Sequence, residues 1–484
     1  MSEERSLFQG PLSAAFRYAT EYVASASKRP VAATADLATL RQRLAIPLGE
    51  DGVDATRVIE ELLRDVEGGV ITSSGPRFFG WVIGGSLPAA LAADWLTSTW
   101  DQNAGLYTTA PAAAVVEEVA GAWLKELLGV PAAASFALVT GCQMAHATCL
   151  AAARHALLSG RGWDVEQDGL SGAPTIKILT STEKHGTILR TVRLLGLGEK
   201  QIVNLPADET GRLRADALTA SLESSDAPAI VVLQAGDLNI GAFDDFAELI
   251  PIAKRFGAWV HVDGAFGLWA AASARFRHLM KGAEAADSWA TDGHKWLNVP
   301  YDCGYAFVAD REAHRASMSH HAAYLTHDEA ARDEMDWNPE FSRRGRGFAT
   351  YAALRELGRA GVAELVERCC GVAHALTTRI GALEGAEILW VPQINQGLVR
   401  FVDARDKSVA GCDAFTERVM AEILASGEAF FTGTTWRGMR AMRIRVSNWQ
   451  TSMKDVGRVV VAIEAILQRL LGGGSGPVSH PPRR

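Results

Sequence analysis

Two short stretches decide the fold and chemistry of this chain: HVDGAFG at residues 261–267 and TDGHKWLNVPYDCG at residues 291–304. In the first, Asp263 ends an apolar run and small residues follow it. In the second, Lys295 follows His294 in a segment that Gly and Pro punctuate. Ligands of open α/β sheets bind outside the carboxyl ends of the strands. A carboxylate and an amine in these positions therefore predict a ligand site.

Short apolar runs alternate with longer helical patterns through the middle of the chain. Continuous apolar runs are typical of parallel strands that are covered on both faces. Helical spacing separates several of them, as in MAHATCLAAARHALL (144–158) and AFDDFAELIPIAKRF (242–256). We therefore predict an α/β fold with a large, mostly parallel sheet. The runs are FALVT (136–140), TIKILT (175–180), AIVVLQ (229–234), AWVHV (258–262) and YAFV (305–308).

The pattern divides the chain into four predicted segments. Residues 1–75 have apolar residues at helical spacing and are expected to form an N-terminal helical arm. Residues 76–355 contain the alternating pattern and form the large ligand-binding domain. Long helices followed by strands such as GLVRFV (397–402) predict a smaller α+β domain over residues 356–471. The tail at residues 472–484 is rich in Gly, Pro and Ser and is expected to be disordered.

Composition excludes several classes of protein. The net charge of −8 over 484 residues argues against a nucleic-acid partner, which would favour a basic surface. The chain has no uncharged apolar run of about 18 residues, and its first residues lack the pattern of a signal peptide. The six cysteines have no CxxC or metal-ligand spacing, so neither disulfides nor a metal site is predicted. These features predict a soluble cytoplasmic enzyme.

Two further strand–helix junctions carry candidate ligand-binding groups. In LVTGCQMAHA a predicted strand ends in Thr-Gly and a helix follows at once, so the N–H groups of Gly141, Cys142 and Gln143 can bind a phosphate. His185 follows another strand and could lie flat on an aromatic ring. A carboxylate such as Asp263 beside a pyridine nitrogen favours the protonated ring, which acts as an electron sink.

These groups occur in the order phosphate turn, His, Asp and Lys. In this order they make the chain resemble the fold-type I pyridoxal-5′-phosphate (PLP) enzymes. More narrowly, the chain resembles the group II amino acid decarboxylases, the family of the glutamate and aromatic-amino-acid decarboxylases. The motifs HVD-x-A-(F/Y)-G and D-x-HKW-L carry the resemblance, which extends from about Pro76 to about Thr451.

The resemblance implies a role for each of these residues. Lys295 would carry PLP as a Schiff base, Asp263 would pair with the ring nitrogen, and His185 would stack on the ring as a third catalytic residue. Ala265 would pack under the ring, and His294 would lie near the phosphate. The resemblance also implies phosphate-loop positions for Gly141, Cys142 and Gln143, and positions near the substrate for Trp81 and Arg343.

One departure concerns the loop from Thr326 to Phe341. In the family this loop carries a tyrosine that is thought to protonate the substrate carbon after CO2 leaves. Here the loop has no tyrosine: Tyr324 lies too early, and Glu334 falls near the expected place. We expect this acidic loop to be mobile and solvent-exposed, and we favour His185 as the proton donor because its ordinary pKa is near neutrality.

The predicted function is decarboxylation of an L-amino acid, or a similar compound, to the amine and CO2. Another PLP reaction on the same scaffold is the alternative: oxidative deamination to an aldehyde, carbon–carbon lysis or transamination. Arg443 lies on a late strand where fold-type I transaminases bind the substrate carboxylate, so it is a further substrate-binding candidate. A catalytically silent PLP-binding protein is the third hypothesis. The resemblance and the N-terminal helices predict a homodimer, and acidic, aromatic and unusual amino acids all stay open as substrates.

Overall fold

A computed structural model describes residues 2–320 and 331–472. Fourteen α-helices are present in the described residues. Gly358, with a φ of 60°, interrupts the longest of them; this conformation suits glycine because it has no Cβ. The helices are α1 (Ser2–Ser25), α2 (Leu37–Leu44), α3 (Ala55–Asp65), α4 (Pro88–Trp100), α5 (Pro111–Leu128), α6 (Cys142–Ser159), α7 (Val165–Asp168), α8 (Gly186–Leu194), α9 (Ala215–Glu223), α10 (Phe246–Arg255), α11 (Arg311–Met318), α12 (Gly347–Gly381), α13 (Val409–Ser426) and α14 (Met453–Leu471).

Eleven strands in the described residues form two sheets. The first seven make one sheet in the order β1-β7-β6-β5-β4-β2-β3, and the last four make the other in the order β10-β11-β9-β8. The strands are β1 (Ser135–Val139), β2 (Lys177–Ser181), β3 (Ile202–Leu205), β4 (Ala229–Gln234), β5 (Trp259–Asp263), β6 (Ser288–Asp292), β7 (Gly304–Val308), β8 (Ala386–Trp390), β9 (Gln396–Phe401), β10 (Thr432–Trp436) and β11 (Met439–Arg445).

The seven-stranded sheet confirms the predicted α/β fold. The run AIVVLQ forms β4 over the predicted residues 229–234, and the other four predicted strands begin and end within two residues of the observed ones. Strands β2, β3, β4, β5 and β6 pair in parallel. Strand β7 is antiparallel to both of its neighbours, β1 and β6. Strands β1 and β6 therefore point the same way, and their carboxyl ends lie at one edge of the sheet.

Helix α6 packs directly on this sheet because its inner face is small. Ala145, Cys149 and Ala152 on that face are fully buried, and they belong to one apolar cluster with strand residues such as Val139 and Ile230. Small side chains let the helix axis approach the strands closely, which fixes the position of its first turn.

The chain falls into two compact units. They divide near residues 83/84 and 374/375, whereas the sequence pattern placed divisions after residues 75 and 355. One unit contains the seven-stranded sheet. The other contains the N-terminal helices together with the C-terminal elements, and in it β8 pairs antiparallel with β9 and β10 with β11. Within the described residues, we find no helix that combines the length and apolar character needed to cross a membrane.

Candidate active site

The candidate cofactor-binding residues lie at the ends of three strands, and these strands end at the same edge of the large sheet. Strand β5 ends at Asp263, β6 ends at Asp292 just before Lys295, and β1 is followed by Gly141 at the start of α6. Because these strands point the same way, their carboxyl ends bring together residues that are far apart in the sequence. This is the edge at which open α/β sheets bind ligands.

The amine of Lys295 is largely buried and forms an ion pair. Its Nζ lies 2.9 Å from Oδ2 of Asp292, and its side chain is 21% exposed. Burial by itself would lower the pKa of Lys295, but the charge and hydrogen bond of Asp292, together with the charges of Cys142 and Asp263, outweigh that effect and hold the pKa above its ordinary value. Lys295 is therefore an ammonium ion here, and it must lose a proton before it can attack a carbonyl carbon.

Asp292 connects Lys295 with the first turn of α6. Its Oδ1 accepts a hydrogen bond of 2.5 Å from the backbone N–H of Cys142 and lies 3.5 Å from Nε2 of His294. An anionic oxygen thus lies at this helix N-terminus, as the helix dipole favours. The N–H of Gln143, in the same turn, has no acceptor within the helix. Asp292 therefore takes the N–H of Cys142 in this structure, and the N–H of Gln143 is a donor that an anion could still use.

Two glycines let the backbone close around this turn. A Cβ on Gly304 would lie 2.5 Å from Cα of Gly141, and a Cβ on Gly84 would lie 2.0 Å from the carbonyl oxygen of Lys295. Real Cβ atoms do not approach backbone so closely. Neither position can therefore accept a side chain without moving Gly141 or Lys295.

Asp263 is buried and held by two groups. Its Oδ1 accepts from the backbone N–H of Ala265 at 3.2 Å, and its Oδ2 lies 3.5 Å from Nε2 of His146. Burial alone would raise the pKa of Asp263. The neighbouring His146, together with the charges of His185 and Lys295, reverses that effect and lowers the pKa well below its ordinary range. Asp263 is therefore a stable carboxylate that can face a cationic ring nitrogen.

The two predicted histidines have different surroundings. His185 is the exposed N-cap residue of α8, and its Nδ1 accepts from the N–H of Thr187 at 3.3 Å. It is close enough to Asp263 for its charge to lower the pKa of that carboxyl. His294 is buried, stacks on Tyr301 with ring centroids 4.0 Å apart, and has a pKa that burial lowers. The structure thus brings both histidines into the region of Lys295 and Asp263.

The fold also gathers residues that sequence reasoning did not assign. His146 lies one helical turn after Cys142, and an oxygen of Asp263 completes a buried group whose ligand-type atoms all lie within 4.8 Å of one another. The cysteine spacing in the sequence gave no sign of this group, since its members come from α6 and β5. The spacing of Cys142 and His146, four residues apart on a predicted helix, was the sequence signal that could have found part of this group.

Both terminal nitrogens of Arg343 contact other parts of the protein. Its Nη1 donates to the carbonyl of Ala104 at 2.8 Å, and its Nη2 donates to the carbonyl of Leu138 at 2.7 Å and lies 2.8 Å from Glu117. Neither the Arg343 nor the Glu117 side chain is exposed, and burial raises the pKa of Glu117 although Arg343 opposes the change. These contacts give Arg343 a role in holding its own segment beside α5 and β1.

The expectation of a solvent-exposed loop is wrong for residues 333–338, which are buried. Glu334 is 1% exposed and its Oε1 accepts from Nε of Arg332 at 2.8 Å. Nearby, the backbone N–H of Tyr107 donates to Asp333 at 2.8 Å. Acidic residues in this part of the loop are buried because each has a cation or a backbone donor as partner. Residues 321–330, which include Tyr324, lie outside the described residues.

Trp81 and Arg443 belong to the other compact unit. Trp81 is half exposed, and its ring packs 5.3 Å from that of Phe430 and 6.3 Å from that of Phe78, centroid to centroid. Arg443 lies on β11 opposite Thr432 and is buried, which lowers its pKa. The substrate-binding roles of Trp81 and Arg443 stay predictions.

The groups at the sheet edge match the three reactive parts of PLP. Lys295 could supply an amine for the aldehyde, Asp263 a carboxylate for the ring nitrogen, and the first turn of α6 amide donors for the phosphate. This site and the seven-stranded sheet define a fold-type I PLP-dependent enzyme.

Comparison with known proteins agrees with this class. Residues 40–403 match the pyridoxal-dependent decarboxylase conserved domain. The chain is 24% identical to an aromatic-L-amino-acid decarboxylase of Bacillus atrophaeus over 450 residues, which is 91% of this chain and 92% of that protein. It is 29% identical to an L-2,4-diaminobutyrate decarboxylase of Rhizobium meliloti (strain 1021) over 384 residues, which is 77% of this chain and 74% of that protein.

A solved structure shares the fold. The structure of Oryza sativa TDC with PLP and tryptamine superposes with a TM-score of 0.89 at 22% identity, over 97% of this chain and 98% of that one. The chain belongs to the pyridoxal-dependent decarboxylase family. It is a PLP-dependent carboxy-lyase that acts on an amino acid.

Proposed function

We propose that PLP attaches to Lys295 and that the chain converts an L-amino acid into the amine and CO2 with Asp263 and His185 as the other catalytic residues. One observation carries this assignment. The amine of Lys295 is held by Asp292 at the same sheet edge as the carboxylate of Asp263, and the two are close enough for each to shift the pKa of the other.

The side chains have distinct tasks in this reaction. When bound, PLP supplies an electron sink for the negative charge that remains on the substrate carbon after CO2 departs. Asp263 holds its negative charge opposite the ring nitrogen and so favours a proton there. The first turn of α6 binds the phosphate through Gly141, Gln143 and, once Asp292 releases its N–H, Cys142. Asp292 holds the amine of Lys295 at the sheet edge, where it would meet the aldehyde of PLP.

His185 is our choice for the proton donor to the substrate carbon. It is exposed at the start of α8, and it is close enough to Asp263 for its charge to lower the pKa of that carboxyl. Its ordinary pKa lies near neutrality, so no large shift is required for it to give up a proton. Ala265 and His294 complete the cofactor site in this proposal, under the ring and near the phosphate.

Borohydride reduction tests the attachment point. The purified yellow protein should lose its visible absorption on reduction, and peptide mapping should find the cofactor on the peptide that contains Lys295. Lys295→Ala should abolish turnover while still binding PLP through the phosphate turn. Lys281→Ala, which alters an exposed lysine between β5 and β6, is the matched control and should keep both activity and colour. Cofactor on any other peptide would refute the assignment.

We also propose that the enzyme is a cytoplasmic homodimer. All six cysteines are free and buried, which suits a reducing compartment. Helix α1 has an apolar face on which Phe8, Leu12 and Phe16 recur every four residues, and each is more than half exposed. A second copy of the chain would remove this surface from water.

A further inference from the structure

Behind Asp263 lies a line of buried side chains that the sequence did not reveal. Nδ1 of His146 is 2.8 Å from Nε2 of His261, and Nδ1 of His261 is 2.9 Å from Oγ of Ser288. The indole N–H of Trp259 donates to the same Oγ at 2.9 Å. His146, His261 and Ser288 have no exposed surface. The line begins at the 3.5 Å contact between Asp263 and His146. We call its members the Asp263 network: Asp263, His146, His261, Ser288 and Trp259.

The proton positions in the Asp263 network follow from its chemistry. Burial, and next the neighbouring His146, lower the pKa of His261 to about 3, so His261 is neutral with one donor and one acceptor nitrogen. The carboxylate of Asp263 only accepts, so Nε2 of His146 carries the proton that faces it. With that proton on Nε2, Nδ1 of His146 accepts from Nε2 of His261, whose Nδ1 accepts from the hydroxyl of Ser288. This arrangement gives every buried polar atom along the line a partner.

The fold makes this line possible by combining three elements. Trp259, His261 and Asp263 alternate along β5, so their side chains point to one face of the sheet. Helix α6 packs on the sheet and contributes His146. Ser288 comes from β6, where it is the register partner of His261. The same α6, β5 and β6 carry the phosphate turn, the carboxylate and the lysine of the site.

We propose that His146 is a positioning residue for the cofactor: backed by His261 and Ser288, it keeps Asp263 ionised and directed at the ring nitrogen of PLP. The inference rests on the proposed pairing of Asp263 with that nitrogen. A buried carboxylate that loses its donor takes up a proton more readily, so Asp263 would draw one from a ring nitrogen paired with it. His146 therefore controls the charge of the ring and with it the capacity of PLP to accept electrons.

Three substitutions distinguish the role of Nε2 of His146 from that of Nδ1. His146→Gln keeps an N–H donor near the position of Nε2 and so faces Asp263. His146→Asn keeps an acceptor near the position of Nδ1 and so faces His261, but it cannot reach Asp263. His146→Leu keeps neither group. The measured quantities are the 15N resonance of PLP labelled at its ring nitrogen, which distinguishes protonated from neutral rings, and the Kd of the apoprotein for PLP.

We expect His146→Gln to keep the resonance of the protonated ring, with a Kd within about threefold of the unmodified protein. His146→Asn and His146→Leu should move the resonance toward that of a neutral pyridine and weaken PLP binding about tenfold or more, since a hydrogen bond to a charged group is lost. If His146→Leu does not fold, His146→Asn decides the outcome.

His314→Gln is the matched control. His314 is also fully buried, with one ring nitrogen 2.8 Å from Oγ of Ser135 and the other 2.9 Å from the carbonyl of Trp337. Its replacement should lower the melting temperature and leave the 15N resonance in place. If the His146→Asn and His146→Leu proteins change the resonance and the Kd no more than this control does, the Asp263 network is only structural and the inference is wrong.

Asp263→Asn separates failure of this inference from failure of the proposed function. An unchanged resonance in Asp263→Asn would mean that Asp263 does not pair with the ring nitrogen, which overturns the assignment on which the inference rests. A changed resonance there, with none in His146→Leu, overturns the role of His146 alone. Zinc content is measured as well, since His146, Cys142 and Asp263 place ligand-type atoms within 4.8 Å. About one equivalent of zinc in the holoenzyme would overturn the hydrogen-bonded role.

Discussion

His185 and Glu334 are the two residues that the sequence offered as proton donors, and the structure gives them contrasting environments. His185 is exposed at the start of α8, where its ring can meet a ligand. Glu334 is buried, accepts from Arg332, and lies near enough to Glu117 to raise the pKa of that carboxyl. Because Glu334 is only 1% exposed, a ligand cannot reach its side chain. This contrast strengthens the preference for His185.

Replacement of each residue tests this preference. His185→Gln should reduce CO2 release by about 10²–10⁴-fold, which is the usual contribution of a general acid. Glu334→Gln, assayed well below its melting temperature, should keep the rate within a few fold and keep the amine as product. Carbon dioxide, amine and hydrogen peroxide are measured for each substrate found. A switch from amine to aldehyde and peroxide in Glu334→Gln would identify the loop carboxylate as the acid.

At the scale of elements, adjacent arginines before α12 attach the same segment in different ways. The Arg343 side chain is fully buried against Glu117 of α5 and two backbone carbonyls. The Arg344 side chain is 36% exposed and pairs with Asp94 of α4. Removing one partner from a buried pair leaves the other charge without compensation, whereas an exposed pair contributes little. Substitutions of Arg343 and Arg344 therefore compare the stability contributed by a buried ion pair with that contributed by an exposed one.

We expect Arg343→Met to lower the free energy of unfolding by about 3–5 kcal/mol and Arg344→Met by less than about 1 kcal/mol. Urea unfolding followed by tryptophan fluorescence measures both. KM is measured alongside, because the sequence placed Arg343 near the substrate. A stable Arg343→Met protein with a strongly raised KM would restore that substrate-binding role and contradict the structural one.

At the scale of the whole molecule, the apolar face of α1 predicts the oligomeric state. Phe8→Glu combined with Leu12→Glu places two charges on a surface that we propose to be buried in the homodimer, and burying unpaired charges is costly. Light scattering should give the mass of a dimer for the unmodified protein and of a monomer for this variant. Val461→Glu, at an apolar residue of α14 that is 63% exposed, should stay dimeric. An active monomer at micromolar concentration before any substitution would refute the homodimer.

Acid lability is a second property of the whole molecule. Burial lowers the pKa of both His261 and His314 to about 3, against an ordinary value of 6.5. The unfolded chain therefore binds two more protons than the folded chain between these values, so stability falls as the pH decreases from about 6.5 toward 3. The expected slope from these groups is about 2.7 kcal/mol per pH unit, and His314→Gln should halve it. Urea titrations at several pH values measure the slope; an unchanged slope in His314→Gln would contradict the prediction.

Much of the site could be read from the sequence because its signals are local. The run AIVVLQ forms β4 as predicted, and the carboxyl end of AWVHVD is recognisable as a strand that delivers Asp263. Gly141, which directly precedes a helical pattern, indicates the turn before α6. Lys295 follows from the HKW motif. Each of these features is encoded in fewer than about twenty consecutive residues, over which periodicity and turn residues are informative.

The tertiary structure alone decided what surrounds these residues. Strand β6, SWATD, escaped prediction because polar residues interrupt its apolar pattern, yet all five residues are buried. Its Asp292 bonds both Lys295 and the first turn of α6, and its Ser288 ends the Asp263 network. Polar residues can be buried here only because partners from distant segments satisfy them. Such pairing depends on the order and direction of strands in the sheet, so no local pattern could report it.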